Sequence, residues 1–221
     1  VQLDAGLLTP PVRLAVALAA LPCIAVAAVR APWRTWLTRP DRQHVWLGSL
    51  VLLMFIWTLR AGVTPGLTVQ FLLISALTLM HGWALAVVGA GIVLLADALQ
   101  HRDLGDWPVN LLCSGVVPAT VTWLLHRVVE ARLPHNYFVY FFVTAFGGSF
   151  VAFVAAALAR LGLLWASGAV PAAQVGEEYL LLLPMLGLAE AFMNGLVIAI
   201  AVVYTPDWVS SFDDRLYLRR R

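Results

Sequence analysis

The chain has 221 residues, of which 62% are hydrophobic and 12% charged, with a mean hydropathy of +0.87. Soluble globular domains carry about 25% charged residues, so this composition excludes one and describes an integral membrane protein. All 14 basic residues are arginine, and the net charge of +2 excludes nucleic-acid binding on charge grounds.

In chain order, apolar runs bounded by charge or by Pro and Gly predict segments at 11–29, 44–60, 67–80, 82–98, 107–126, 137–161 and 178–204. The expectation is an all-α, polytopic membrane helix bundle of seven transmembrane segments, forming a single membrane domain over residues 1–221. At about 20 residues per span, seven spans leave no room for a soluble domain. The first run lacks a basic start and a small-residue cleavage site and ends in Arg30, so it predicts a retained span rather than a signal peptide. The runs at 67–80 and 82–98 reach only about 21 to 26 Å, against a hydrocarbon core of about 30 Å. They could therefore form one broken helix or two separate passes.

Arginine position separates these alternatives, because cytoplasmic loops are enriched in basic residues. With seven spans and the N-terminus outside, Arg30, Arg34, Arg39, Arg42, Arg127 and Arg132 face the cytoplasm together with Arg215, Arg219, Arg220 and Arg221 of a cytoplasmic C-terminus. Only Arg13, Arg60, Arg102 and Arg160 fall outside. Fusing the two short runs would export the Arg127/Arg132 loop and the tail. Trp33, Trp36, Trp46, Trp107 and Trp208 flank the segments and are expected to form an interfacial anchoring belt.

Several polar residues lie within or beside the apolar runs: Gln70, His81, Asp97, Asn110, Glu190 and Asn194. A charge at mid-bilayer costs at least about 2.5 kcal/mol on insertion scales. Glu190 has no arginine three or four residues away, so it must face the bundle interior or be protonated. Asn194 shares its helical face. The pair is expected to act either as an interhelical hydrogen-bond clamp or as part of a substrate path. Asp97 is placed to reach water at the end of its span, Asn110 to cap a helix start, and His81 to sit at a break between segments. Cys23 and Cys113 lie in apolar stretches without metal or disulfide spacing and are read as packing residues. No HExxH, GxSxG or P-loop pattern occurs, and the chain is not expected to be an enzyme.

The opening Val1-Gln2-Leu3-Asp4-Ala5-Gly6-Leu7-Leu8-Thr9-Pro10 resembles the signature Met-His-Ile-Pro-Asp-Gly-Leu-Leu-Ser-Pro of the cobalt and nickel substrate-capture permeases of energy-coupling-factor transporters. The stretch Gly66-Leu67-Thr68-Val69-Gln70-Phe71-Leu72 is similar to the family's second signature, in which a His precedes Phe/Leu-Leu-Gly. Further similarity runs through Asn110-Leu111-Leu112, Gly115-Val116-Val117-Pro118 and Glu190-Ala191. The tail from Pro206 to Asp214 is similar to that of a stand-alone proteobacterial branch of these permeases.

The resemblance implies a multi-pass protein of the bacterial inner membrane. Its partners would be the lipid bilayer, a coupling membrane subunit and ATPases. It also implies capture of a divalent nickel or cobalt ion by the terminal amine, the second residue's backbone nitrogen and imidazole, and a second imidazole. Those family positions map onto Val1, Gln2 and Gln70, so both imidazoles are replaced by carboxamides, which are poor donors to late first-row ions. Gln2, Gln70, Asn110, Glu190 and Asn194 are the expected substrate-binding set. Two uses of the scaffold follow: a capture permease with a degenerate metal site, or a non-transporting accessory or assembly subunit of a larger membrane complex.

Overall fold

The computed structural model describes residues 2–3, 8–58, 61–64, 67–101, 104–168, 182–213 and 217, and at 2–3, 61–64, 67–69 and 106 it describes the backbone alone. The protein is a polytopic helical bundle. After a two-residue strand β1 (Gln2–Leu3), helix α1 spans Pro10–Arg30, α2 Trp33–Thr38 and α3 Pro40–Thr58. Strands β2 (Ala61–Thr64) and β3 (Leu67–Val69) follow, then α4 (Ile74–His81) and α5 (Trp83–His101). The last three helices are α6 (Trp107–Arg132), α7 (Tyr137–Ala166) and α8 (Leu183–Tyr204). Of these, α1, α5, α6, α7 and α8 are long and apolar enough to cross a membrane.

Every expected apolar run contributes a helix, but the run at 67–80 does not form one throughout. Its first three residues are strand β3, residues 70–73 are irregular, and only the last part is helical. Strand β3 is the centre of a small antiparallel sheet of order β1-β3-β2, which an all-α expectation did not contain. Gln2 is paired with Thr68 and Leu3 with Leu67. Backbone polar groups within a bilayer must be satisfied by protein, and this short sheet does so for segments too brief to form helices of their own.

Two long helices are locally unwound. In α6, residues Leu111–Val116 form a π-helical turn, and Pro118 follows one residue later. A proline lacks an N–H and clashes with the carbonyl four residues before it; widening to an i→i−5 pattern, as in Val117 N–H to Leu112 O, relieves that crowding. In α7 the π segment is Tyr140–Gly147, and Gly148 N–H reaches Val143 O. It ends at the Gly147-Gly148 pair, and a Cβ on Gly147 would lie 3.1 Å from the Phe142 carbonyl oxygen.

Close helix approach depends on small residues, as expected where apolar burial gives no net drive for helix association. A Cβ on Gly91 of α5 would stand 2.5 Å from Ile24 of α1, and one on Gly187 of α8 would stand 2.9 Å from Phe150 of α7. Tryptophans add polar links between segments. The Trp46 indole donates to Leu85 O, Trp57 to Leu72 O, Trp83 to Thr120 Oγ1 and Trp107 to Gly91 O. Trp46, expected in an interfacial belt, is buried against α5, because its N–H finds a carbonyl partner inside the bundle.

Candidate functional site

Helix α4 has eight residues, too few for stability in isolation. Both of its ends depend on groups supplied from elsewhere in the chain. The chain enters through Gln70-Phe71-Leu72-Leu73, where Leu73 adopts a left-handed conformation with φ of 52°. Leu73 has no side-chain oxygen to cap the helix. Instead, the Glu190 carboxylate of α8 accepts from the backbone N–H groups of Leu72 at 2.8 Å and Leu73 at 2.7 Å. One turn further along α8, Asn194 Oδ1 accepts from Ala76 N–H at 2.7 Å, and Asn194 Nδ2 donates to Glu190 Oε1 and to the Glu190 carbonyl, both at 2.8 Å. A carboxylate at the start of a helix also meets the positive end of its dipole. Both side chains are buried.

The opposite end of α4 is closed by the segment after α8. Ser210 N–H donates to Met80 O and Ser211 N–H to Leu79 O. The Ser211 hydroxyl also donates to Leu79 O at 2.8 Å, leaving the hydroxyl of Tyr140 to donate to Ser211 Oγ at 2.7 Å. Phe212 and Tyr217 pack on Tyr140 with ring centroids 5.0 and 5.2 Å away. Within the helix, Ser75 and Thr122 share a hydroxyl hydrogen bond of 2.8 Å that ties α4 to α6.

Gln70 stands just before this capped entry. Its side chain is 4% exposed, and neither its Oε1 nor its Nε2 has a hydrogen-bond partner among the described residues. Leaving such a group unsatisfied costs about 1 to 3 kcal/mol, and buried polar groups are otherwise nearly always bonded. The β1–β3 register sets Gln2 opposite Thr68, two residues before Gln70. Strand β1 also lies against the first turn of α6, where Asn110 is buried. Val1 lies outside the described residues.

Thus β1 joins β3, which leads into Gln70 and the 70–73 entry, to the start of α6, while Glu190 and Asn194 are engaged with the backbone at the start of α4. Among the described residues no three His, Cys, Asp or Glu side chains group together to hold a metal ion. His81, the last residue of α4, lies between the third and fourth segments; its Nε2 is 3.2 Å from Ser49 Oγ. Burial, assisted by the nearby Arg42 charge, pushes its pKa down to about 4. Asp97 lies one turn from His101 at the end of α5, with 3.5 Å between its carboxylate and His101 Nδ1.

Sequence reasoning missed the role of Arg160, which it counted among the arginines on the outer side, near the end of the segment at 137–161. It is 2% exposed and donates to Ser114 Oγ in the π-helical turn of α6. Its position near the end of an apolar run gave no sign that a hydroxyl from another helix would hold it inside. Ser210 and Ser211 were noted only as part of a tail string; nothing in their spacing points to the carbonyls of α4.

Comparison with known protein families finds that residues 3–208 match the family described as the cobalt uptake substrate-specific transmembrane region. A comparison with curated proteins finds no match.

Proposed function

The chain belongs to the cobalt uptake substrate-specific transmembrane family, a family of membrane transport components, and from that premise we propose that it is a substrate-capture permease with a degenerate metal site. In this reading Gln2 and Gln70 occupy the capture position, and the chain works with a coupling membrane subunit and ATPases. It crosses the bacterial inner membrane seven times, with the N-terminus outside and the C-terminus in the cytoplasm.

The observation that carries this reading is the pairing of β1 with β3 beside a buried Gln70 whose amide is unpartnered among the described residues. The folded-back N-terminus supports a capture architecture; the carboxamides alter its chemistry. An amide oxygen is a hard, neutral donor and a weak ligand for nickel or cobalt. Asn110 is buried in the turn of α6 against which β1 lies, while Glu190 and Asn194 act on the position indirectly, by fixing the 70–73 backbone.

Calorimetry on the purified chain tests the proposal. Ni(II) and Co(II) are expected to bind feebly, and Gln2→His with Gln70→His is expected to raise affinity far more than either change alone. Tight stoichiometric binding by the unmodified chain would restore ordinary metal capture.

A second reading, a non-transporting accessory or assembly subunit, is favoured by the loss of both imidazoles. Co-purification from native membranes separates the two: an ATPase pair with a coupling subunit supports the permease, and an unrelated membrane complex supports the subunit.

A further inference from the structure

Helix α3 is pinned to the bundle near both ends. Toward its start Trp46 bonds Leu85 O and Ser49 stands beside His81; at its end Trp57 bonds Leu72 O. Between these pins α3 stands away from α4, leaving an open groove of about 310 Å³. Its walls include Gly48, Leu52 and Ile56 of α3, Leu73 just before α4, Leu77 of α4 and Val197 of α8. A Cβ built on Gly48 meets nothing within 4 Å, so the groove is open along the helix face rather than filled by neighbouring side chains.

The lining of the groove is almost wholly apolar. From His44 to Ile56, at 1.5 Å per residue, it runs about 18 Å, close to the roughly 15 Å of hydrocarbon in one leaflet. One end carries His44 and Trp208. There it adjoins a second chamber lined by Thr35, Arg42, His81 and Asp207, with Val45, Met80 and Trp208 common to both. Arg42 is exposed and makes no ion pair among the described residues. Arg34 and Arg39 lie on the same connection, and the acidic groups near the head are Asp41 and Asp207. Arg42 therefore offers a cation without an ion pair among the described residues where a lipid headgroup would lie, with Asp207 the acid that lines the same chamber.

We propose that this groove binds one anionic phospholipid, with an acyl chain between α3 and α4 and the phosphate at Arg42 and His44. The length fits a single-leaflet chain rather than a spanning helix, and the charge at its mouth matches a phosphate. Trp208 suits the headgroup level, where an indole has both apolar and polar surroundings. A basic group near a membrane surface contributes about 1 kcal/mol toward an anionic lipid, equivalent to about fivefold in affinity.

The test is native mass spectrometry of the detergent-purified full chain titrated with phosphatidylglycerol or phosphatidylcholine. One saturable adduct is expected, favouring phosphatidylglycerol. Arg42→Ala should cut that preference by about fivefold and leave phosphatidylcholine binding unchanged. Gly48→Phe should abolish the adduct with both lipids. A measurement on the unmodified chain guards against misfolding of that variant: phosphatidylglycerol carrying an acyl-chain diazirine should label residues 44–56 and 73–80, competed by unlabelled lipid. Labelling spread over all lipid-facing helices and insensitive to competition would overturn the proposal. So would a well-folded Gly48→Phe chain that keeps the adduct, or a partner membrane helix crosslinking to the same residues in its place. None of these outcomes depends on whether nickel or cobalt binds.

Discussion

Glu190 Oε1 lies 2.7 Å from the backbone nitrogen of Leu73, the residue that turns the chain into α4 through a left-handed conformation. The contact converts an intramembrane acid, costly by itself, into the cap of a helix that has no cap of its own. The neighbouring Oε2 satisfies Leu72, so a single carboxylate settles two backbone donors where water is absent.

Substitutions at Glu190 should separate its two oxygens. Glu190→Gln keeps one acceptor and orphans one backbone N–H, for an expected loss of about 1 to 3 kcal/mol. Glu190→Leu orphans both and removes one of the two acceptors of Asn194 Nδ2, and is expected to cost about twice as much. Unfolding in mixed detergent micelles measures both, and equal stability of the Leu variant and the unmodified chain would remove Glu190 from the capping role.

Asn194 and Ser211 bond opposite ends of the same eight-residue helix. Groups that hold one cooperative unit do not act independently. Asn194→Ala and Ser211→Ala should each destabilise the chain, and the double variant should lose less than the sum, because either change already frees α4. A double-mutant cycle reads the interaction directly; strict additivity would mean that α4 does not respond as a unit.

His81 carries a pH dependence with a definite sign. Its pKa falls from an ordinary value near 6.5 to about 4, so the fold favours the neutral ring. The unfolded chain binds the proton first, so the stability due to His81 is complete above about pH 6.5 and is lost as pH falls toward 4. Ser49 and Arg42 stand beside it, and Asp207 lines the same chamber. Melting temperature between pH 7 and 4 should drop more for the unmodified chain than for His81→Gln, and parallel curves would contradict the assignment.

Reporters fused to the two ends should lie on opposite sides of the membrane, as an odd number of spans requires. Ten of the 14 arginines support the C-terminus as the cytoplasmic end. Both ends on one side would reduce the count and place α4 and α5 in a single pass.

The apolar runs were readable because a bilayer demands long stretches of similar chemistry, and α1, α5 and α8 follow that demand directly. That Glu190 and Asn194 share a helical face was equally open to inspection, since four residues separate them. Their partners were not: Leu72, Leu73 and Ala76 contribute backbone groups, which carry no side-chain signature. The conversion of 67–73 into strand and irregular chain also had no hydropathic mark, because Leu67, Val69 and Leu72 are as apolar as any helix residue. The burial of Arg160 was hidden for a related reason. A charge count gives arginines a side of the membrane, and it has no means of anticipating Ser114.

The groups that close the two ends of α4 lie 117 and 132 residues further along the chain. During synthesis, the third segment therefore leaves the ribosome long before its partners exist. It must wait in an unfinished conformation, held by earlier helices or by the insertion machinery, until α8 and the serines beyond it arrive. Chains that stop short of residue 211 should then accumulate with this segment exposed to membrane proteases, making its maturation the last event in assembly of the bundle.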